Sequence, residues 1–251
     1  MRILLSFKCD QPLELPINYQ DQLTGFIYHN ISDEMYRKFL HDQGYTYRGR
    51  VYKHFAYSRL NGRFRIDRQR KTITFHSPFT LLVTSPMDDF LREFAGSLLL
   101  SDCLKIGKYQ VHLETFNVLP EEGDFSGKVR IRMLSPLVVY STITHPNGVK
   151  YTYYYRPQHE LFSSMVEANL KRKYFSVHPE DRELMDSPFM IEPVLVTSKD
   201  KVITRFHGNV IEGWMGEYRL SGDPRLLNWA YHSCLGNKGS QGFGVFEIMH
   251  E

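Results

Sequence analysis

Cysteine is scarce in this 251-residue chain: Cys9, Cys103 and Cys234 stand far apart, with no CxxC pair among them. That spacing argues against a disulfide framework and against a thiolate-built structural zinc site. Long apolar runs are missing too, and nothing approaches the roughly 18 apolar residues of a membrane-spanning helix. The opening residues, Met1 to Lys8, become charged too early for a secretory signal, so the expected address is cytoplasmic, with no membrane partner. Neither HExxH nor HxE followed by CxxC occurs, which removes zinc-protease and zinc-deaminase readings. No acidic cluster resembles a two-metal nuclease site; Asp88 and Asp89 read as charge in the first turn of a helix. No metal and no organic cofactor is expected.

What is present is a composition able to fold, 42% hydrophobic and 24% charged, with a net charge of only +3. The distribution of that charge says more than its sum. From Arg48 to Lys71 there are nine Lys or Arg and a single acid, Asp67, or +8 in 24 residues, while the rest of the chain carries −5. Tyr45, Tyr47, Tyr52, Phe55, Tyr57 and Phe64 are interleaved with these cations. Cations neutralise phosphates and aromatic faces stack on unpaired bases, so Arg48, Arg50, Arg59, Arg63 and Arg65 are candidate RNA contacts. The plainer alternative is a pair of strands with a solvated basic face.

The order of elements repeats. A strand at 2–8 precedes a Pro-bearing loop, a helix marked by Tyr19, Leu23, Phe26 and Ile27, and a second helix from Asp33 to Gln43 that ends at Gly44. Met35, Tyr36, Phe39 and Leu40 are expected to form its buried face. Strands at 51–59 and 63–76 are read as joined by a turn at Leu60-Asn61-Gly62. A periodic helix then carries Met87, Phe90, Leu91, Phe94, Ala95 and Leu98, and a strand over 104–118 follows. After a linker at Pro120 to Asp124 come a strand at 127–135, a β-rich insertion at 136–156 and a helix at 158–174. Strands at 189–197 and 201–220, a helix opened by Asp223-Pro224 and a strand at 243–248 complete the second half. Two β-α-β-β-α-β units predict an α+β chain of two tandem ferredoxin-like domains, 1–120 and 125–251. The fold alone specifies no activity.

The densest local signal is the stretch from Cys234 to Gly244, with four glycines in nine residues, at 236, 239, 242 and 244. Glycine lets backbone N–H groups approach an anion closely. There is no GK[ST], so this is not a P-loop. Gly236, Lys238, Gly239, Gln241, Gly242 and Gly244 are therefore read as a segment that meets an RNA backbone, with a helix C-cap as the simpler alternative. His41 lies in the last turn of its helix, where the dipole favours the imidazolium and suits it to general acid–base work. Tyr28 and Lys53 are positioned to reach the same space, and the three groups together can cleave RNA without a metal. Lys171-Arg172-Lys173, at a helix end, is a secondary RNA-contact candidate.

These residues together resemble the CRISPR-associated endoribonucleases of the Cas-six family. The resemblance spans essentially the whole chain. It rests on the doubled element order, on helix-borne His41 with Gly44 after it, and on Tyr52-Lys53-His54-Phe55-Ala56-Tyr57-Ser58. It rests also on the terminal glycine-rich stretch, where Cys234 replaces the first glycine of the family's motif. The resemblance implies metal-independent cleavage of CRISPR precursor RNA within its repeats, by 2′-OH attack, leaving 2′,3′-cyclic phosphate and 5′-hydroxyl ends. It implies His41 as the catalytic histidine, with Tyr28 and Lys53 as its partners; Tyr45, Tyr47, Arg48 or Arg50 could replace either partner. Implied partners are the repeat RNA, precursor and processed, with subunits of an interference complex and a second copy of the chain left open. A non-catalytic RNA-binding scaffold of a CRISPR ribonucleoprotein is the main alternative, and a sequence-blind polyanion binder the third.

Overall fold

A computed structural model describes residues 1–101, 103–120, 125 and 127–249. In strand Arg2–Lys8, Ile3, Leu5 and Phe7 point to one buried face, the alternation a half-covered strand requires. It pairs antiparallel with Thr72–Thr84 on one side and Tyr109–Leu119 on the other. Asn61–Asp67 pairs along Thr72–Thr84. These four strands stand in the spatial order fourth, first, third, second, the arrangement of a ferredoxin-like domain. Helices α1 (Gln20–His29) and α3 (Asp88–Leu100), separated by the short α2 (Glu34–Lys38), cover the sheet. Leu23, Phe26 and Ile27 of α1, and Phe90, Leu91, Phe94 and Leu98 of α3, enter one core with the strand residues. Each such side chain contributes about 1.5–3 kcal/mol by leaving water.

The second half repeats the pattern. Phe189–Leu195, Glu217–Gly222, Lys128–Met133 and Phe246–Ile248 form an antiparallel sheet in that order, again second, third, first, fourth. It packs with α4 (Phe162–Phe175) and α5 (Pro224–Ser233) around Val166, Leu170, Tyr218 and Leu227. The Asp223 side chain caps α5 by accepting from the Arg225 N–H. No helix among the described residues is long and apolar enough to cross a membrane.

The glycine-rich segment and α5 join the halves. Tyr57, fully buried, donates its hydroxyl to Gln20 O at 2.9 Å, and its ring lies where a Cβ on Gly242 would stand, 2.5 Å away. The Thr84 hydroxyl donates to His232 O at 2.8 Å, and Arg59 N–H to Leu134 O at 3.2 Å.

Several expectations are corrected. Leu13–Pro16, read as loop, is a strand paired with Thr72–Thr84. Leu60-Asn61-Gly62 is not the hairpin turn; the chain reverses at 68–71, where Asp67 Oδ1 accepts from the N–H groups of Gln69 and Arg70. Met35 is 84% exposed rather than buried, because α2 is only five residues long and its first turn reaches solvent. The span 201–220 is a separate hairpin, Lys201–Phe206 with Asn209–Trp214, followed by a sheet strand. The expected linker at 121–124 lies outside the described residues.

Candidate active site

The Asp33 carboxylate opens α2 by accepting from Tyr36 N–H at 2.9 Å. The helix then widens into a π-type turn, Phe39–Gln43, closed by a bond from Gly44 N–H to Phe39 O at 2.7 Å. Leu40 is buried, and this turn sends the next residue outward: the His41 side chain is 72% exposed. Its Nδ1 lies 2.8 Å from Asp42 Oδ1. That contact makes Nδ1 the donor to the carboxylate and fixes the orientation of the exposed ring.

Tyr28, in the last turn of α1, meets the His41 ring edge-on at 5.6 Å between centroids and Phe55 likewise at 5.5 Å. Burial pushes its phenol up to about 12, so it stays a hydroxyl donor near neutral pH. Lys53 donates from Nζ to His41 O at 2.9 Å. Burial draws its ammonium below the ordinary lysine value while Asp42 acts in the opposite sense. The hydrogen bond from His41 holds the Asp42 carboxyl below the usual range. Tyr28, His41 and Lys53 therefore meet at one place. Tyr45 instead lies edge-on to His54 at 5.0 Å, and Tyr47 against Phe175 at 5.9 Å.

Beyond Lys53 opens a cavity of about 290 Å3 between the halves. Arg50, Lys53, Lys173 and Lys238 bring four cations to its lining, and no described residue lining it is acidic. Gly239 and Gln241 also line it. Gly236, Gly242 and Gly244 do not: all three are buried, with left-handed φ of 64°, 85° and 78°. A Cβ on Gly236 or Gly244 would strike a backbone carbonyl, so these glycines serve close packing. Cys234 adopts φ 68° and ψ 163°, a region glycine favours, which accords with its place in the motif.

The other basic residues separate. Arg48 stacks over Tyr47 at 5.3 Å on the exposed turn of the hairpin Tyr45–Tyr47/Arg50–Tyr52. Arg59 lines a different cleft, of about 750 Å3, together with Ser58, Leu134 and Tyr231. Arg63 and Arg65 are exposed on Asn61–Asp67, outside the contacts around His41. Of the 171–173 run, Lys171 pairs with Glu167 at 2.8 Å, while Lys173 is buried, donating to Cys234 O at 3.0 Å. Lys173 was noted within the 171–173 run and His54 within the 52–58 segment, whereas Asp42, Asn169 and Ser233 were not singled out from sequence. Of these last three, only Asp42 had a visible signal, its adjacency to His41.

A match to the family described as CRISPR associated protein Cas6, C-terminal, spans residues 119–248. The chain is 27% identical over 249 residues to the CRISPR-associated endoribonuclease Cas6 1 of Methanocaldococcus jannaschii, covering 98% of this chain and 91% of that one. A solved structure titled CRISPR associated protein Cas6 superposes with a TM-score of 0.79 at 25% identity, covering 100% of this chain and 99% of the other. Another, titled "An RAMP protein binding different RNA substrates", gives a TM-score of 0.81 at 21% identity and covers 100% of both. With more than half of its length matched by the family, the chain belongs to the Cas6 family of CRISPR-associated proteins.

Proposed function

We propose that this chain is an endoribonuclease that cuts CRISPR precursor RNA within its repeats. The observation that carries the reading is the meeting of exposed His41 with half-buried Tyr28 and Lys53 beside a cationic cavity. The name of the M. jannaschii relative supports the activity, and the RNA-binding title of the RAMP structure supports the ligand class. The ribose 2′-oxygen attacks the adjacent phosphorus; the P–O5′ bond breaks, leaving a 2′,3′-cyclic phosphate and a 5′-hydroxyl. Two protons move: His41 Nε2, with Asp42 orienting its ring, takes the one leaving the 2′-hydroxyl as general base or supplies the one O5′ gains as general acid, and solvent water exchanges the other. The Lys53 ammonium opposes the charge that builds on the phosphorane, and the Tyr28 hydroxyl donates a hydrogen bond to it. One proton transfer and the charge stabilisation are then supplied by side chains and the second proton by solvent, so the proposed step needs no metal ion.

In this reading the halves 1–120 and 125–251 divide the work. The first holds the reacting groups, and the second supplies the glycine-rich wall and much of the cavity. The processed RNA would pass to an interference complex. The test is incubation with a repeat RNA from the protein's own host in EDTA, with His41→Ala alongside. A single cut with a cyclic phosphate end, lost in the variant while binding persists, is expected. Tight binding without a cut would instead favour the scaffold role, and cleavage surviving His41→Ala would remove His41 from the chemistry.

A further inference from the structure

We propose that the cavity between the halves is a nucleobase pocket, taking one unpaired base beside the cut by its hydrogen-bond donor edge. The proposal rests on the RNA reading above. Besides Tyr52 Oη, on a half-buried residue, three polar atoms in buried residues lining the cavity have no hydrogen-bond partner: His54 Nδ1, Asn169 Oδ1 and Ser233 Oγ. Their residues are 5%, 3% and 2% exposed. They come from three separate elements: the segment after Arg50–Tyr52, the middle of α4 and the last residue of α5. Buried polar atoms in folded proteins are nearly always paired, and three orphans around one cavity mark a place built for a ligand.

The polarity of the floor identifies that ligand. The Ser176 hydroxyl donates to Lys173 O at 2.7 Å, so its oxygen accepts from His54 Nε2 at 2.8 Å. The proton of His54 therefore sits on Nε2, and Nδ1 presents a lone pair. Burial, which draws the imidazole down to about 3, keeps it in this neutral form. The Asn169 carboxamide adds a second acceptor. A bare phosphate fits the cationic lining formed by Lys53, Arg50 and Lys238 but is repelled by lone pairs at the floor. A nucleotide satisfies both, with its N–H edge on His54 and Asn169 and its phosphate among the cations. Tyr52 and Tyr140 supply aromatic walls for the base. The volume, about 290 Å3, lies at the small end of ligand clefts. The base sits next to the cut because Lys53 lines the cavity and also bonds His41 O, while Phe55 lines it and packs on Tyr28.

The test uses the full chain and a host repeat RNA with 2′-deoxyribose at the cut, which binds but cannot be cleaved. Single abasic sites are placed through the nucleotides flanking the cut, and Kd is measured by fluorescence anisotropy for the wild type, Asn169→Leu and Ser233→Ala. At one flanking position, base removal is expected to weaken wild-type binding about tenfold or more. Asn169→Leu should weaken binding of intact RNA and add nothing once that base is gone. Losses that multiply independently at every position, or no sensitive position at all, would overturn the pocket. Ser233→Ala removes a single hydroxyl and reads the same coupling should the leucine variant fail to fold. Cleavage of ordinary RNA by the wild type is scored separately. Coupling without cleavage would keep the pocket and remove the nuclease reading; cleavage without coupling would do the reverse.

Discussion

Gly44→Ala isolates how the backbone sets the position of Lys53. Gly44 ends the π-type turn with φ +70° and ψ −172°, a region glycine adopts freely and alanine only with strain of about 1–3 kcal/mol. The new methyl would lie 2.6 Å from Tyr52 O and 3.1 Å from Lys53 Cδ, the first 0.8 Å inside the 3.4 Å at which ordinary contact begins. Tyr52 and Lys53 must retreat, and Lys53 Nζ leaves His41 O, which it now meets at 2.9 Å. A misplacement approaching 1 Å at a reacting centre lowers the rate by up to about 100-fold. Single-turnover cleavage at saturating protein should therefore slow about 10- to 100-fold. Gly49→Ala is the control: φ is +72° there, and nothing lies within 4 Å of the added methyl. It should lower the urea midpoint as the first variant does, yet leave the single-turnover rate near wild type. Equal rates for Gly44→Ala and the wild type would show that the place of Lys53 does not govern cleavage.

Burial holds His54 at about 3 and His232 at about 4, below the ordinary histidine value of about 6.5. The unfolded chain thus binds more protons below about pH 6.5, and stability, full above that pH, falls as pH drops toward those values. The slope reaches about 1.4 kcal/mol per unit for His54 alone, and urea midpoints near pH 7 and pH 5 should reveal it, with His54→Gln flattening the dependence. At Cys234, whose backbone favours glycine, Cys234→Gly should be more stable than Cys234→Ala by about 1–3 kcal/mol, since both lose the thiol but only glycine relieves the strain; thermal melts rank the pair. Removing the exposed charges of Arg63 and Arg65 together should weaken RNA binding and reduce the slope of log K against log salt by about 1.4, as two single-strand phosphate contacts require. An unchanged slope would place the RNA elsewhere.

Much of this was legible in the sequence, and the exceptions have physical causes. The 3.6-residue stripe of α3 placed Phe90, Leu91, Phe94 and Leu98 in the core because a 13-residue helix has room to show its period. The five residues of α2 do not, and Met35 was misassigned for that reason. Asn61-Gly62 resembles a turn by composition, yet Gly62 marks a close approach: a Cβ there would lie 2.9 Å from Phe79 Cβ, at a register shift in the pairing. His41, Tyr28 and Lys53 could be grouped because they fall within 26 residues of one another, on elements whose order was readable. His54, Asn169 and Ser233 could not. They are spread over 180 residues and meet only once α4 and α5 are docked against the first half.

That difference bears on how the site divides its work. In the proposed reaction the acting groups all come from the first half, where local features fix them: a π-type turn, a left-handed glycine and the burial of one phenol. Much of the cavity's floor and wall comes from the second half, through Asn169, Lys173, Ser233 and Lys238, with His54 contributed by the first. Loosening the junction should therefore harm base selection before it harms chemistry. Tyr57 is the place to loosen it, since its ring packs on Gly242 and its hydroxyl ties α1 through Gln20 O. Tyr57→Phe keeps the ring and removes only the hydroxyl's two bonds, to Gln20 O and Thr24 Oγ1 on α1, whereas Tyr57→Leu also removes the surface on which the glycine-rich segment rests. If the cavity selects the base, Tyr57→Leu should flatten the difference in affinity between intact and abasic RNA, and Tyr57→Phe should largely preserve it. Equal flattening by both would place the control in α1 rather than at the junction.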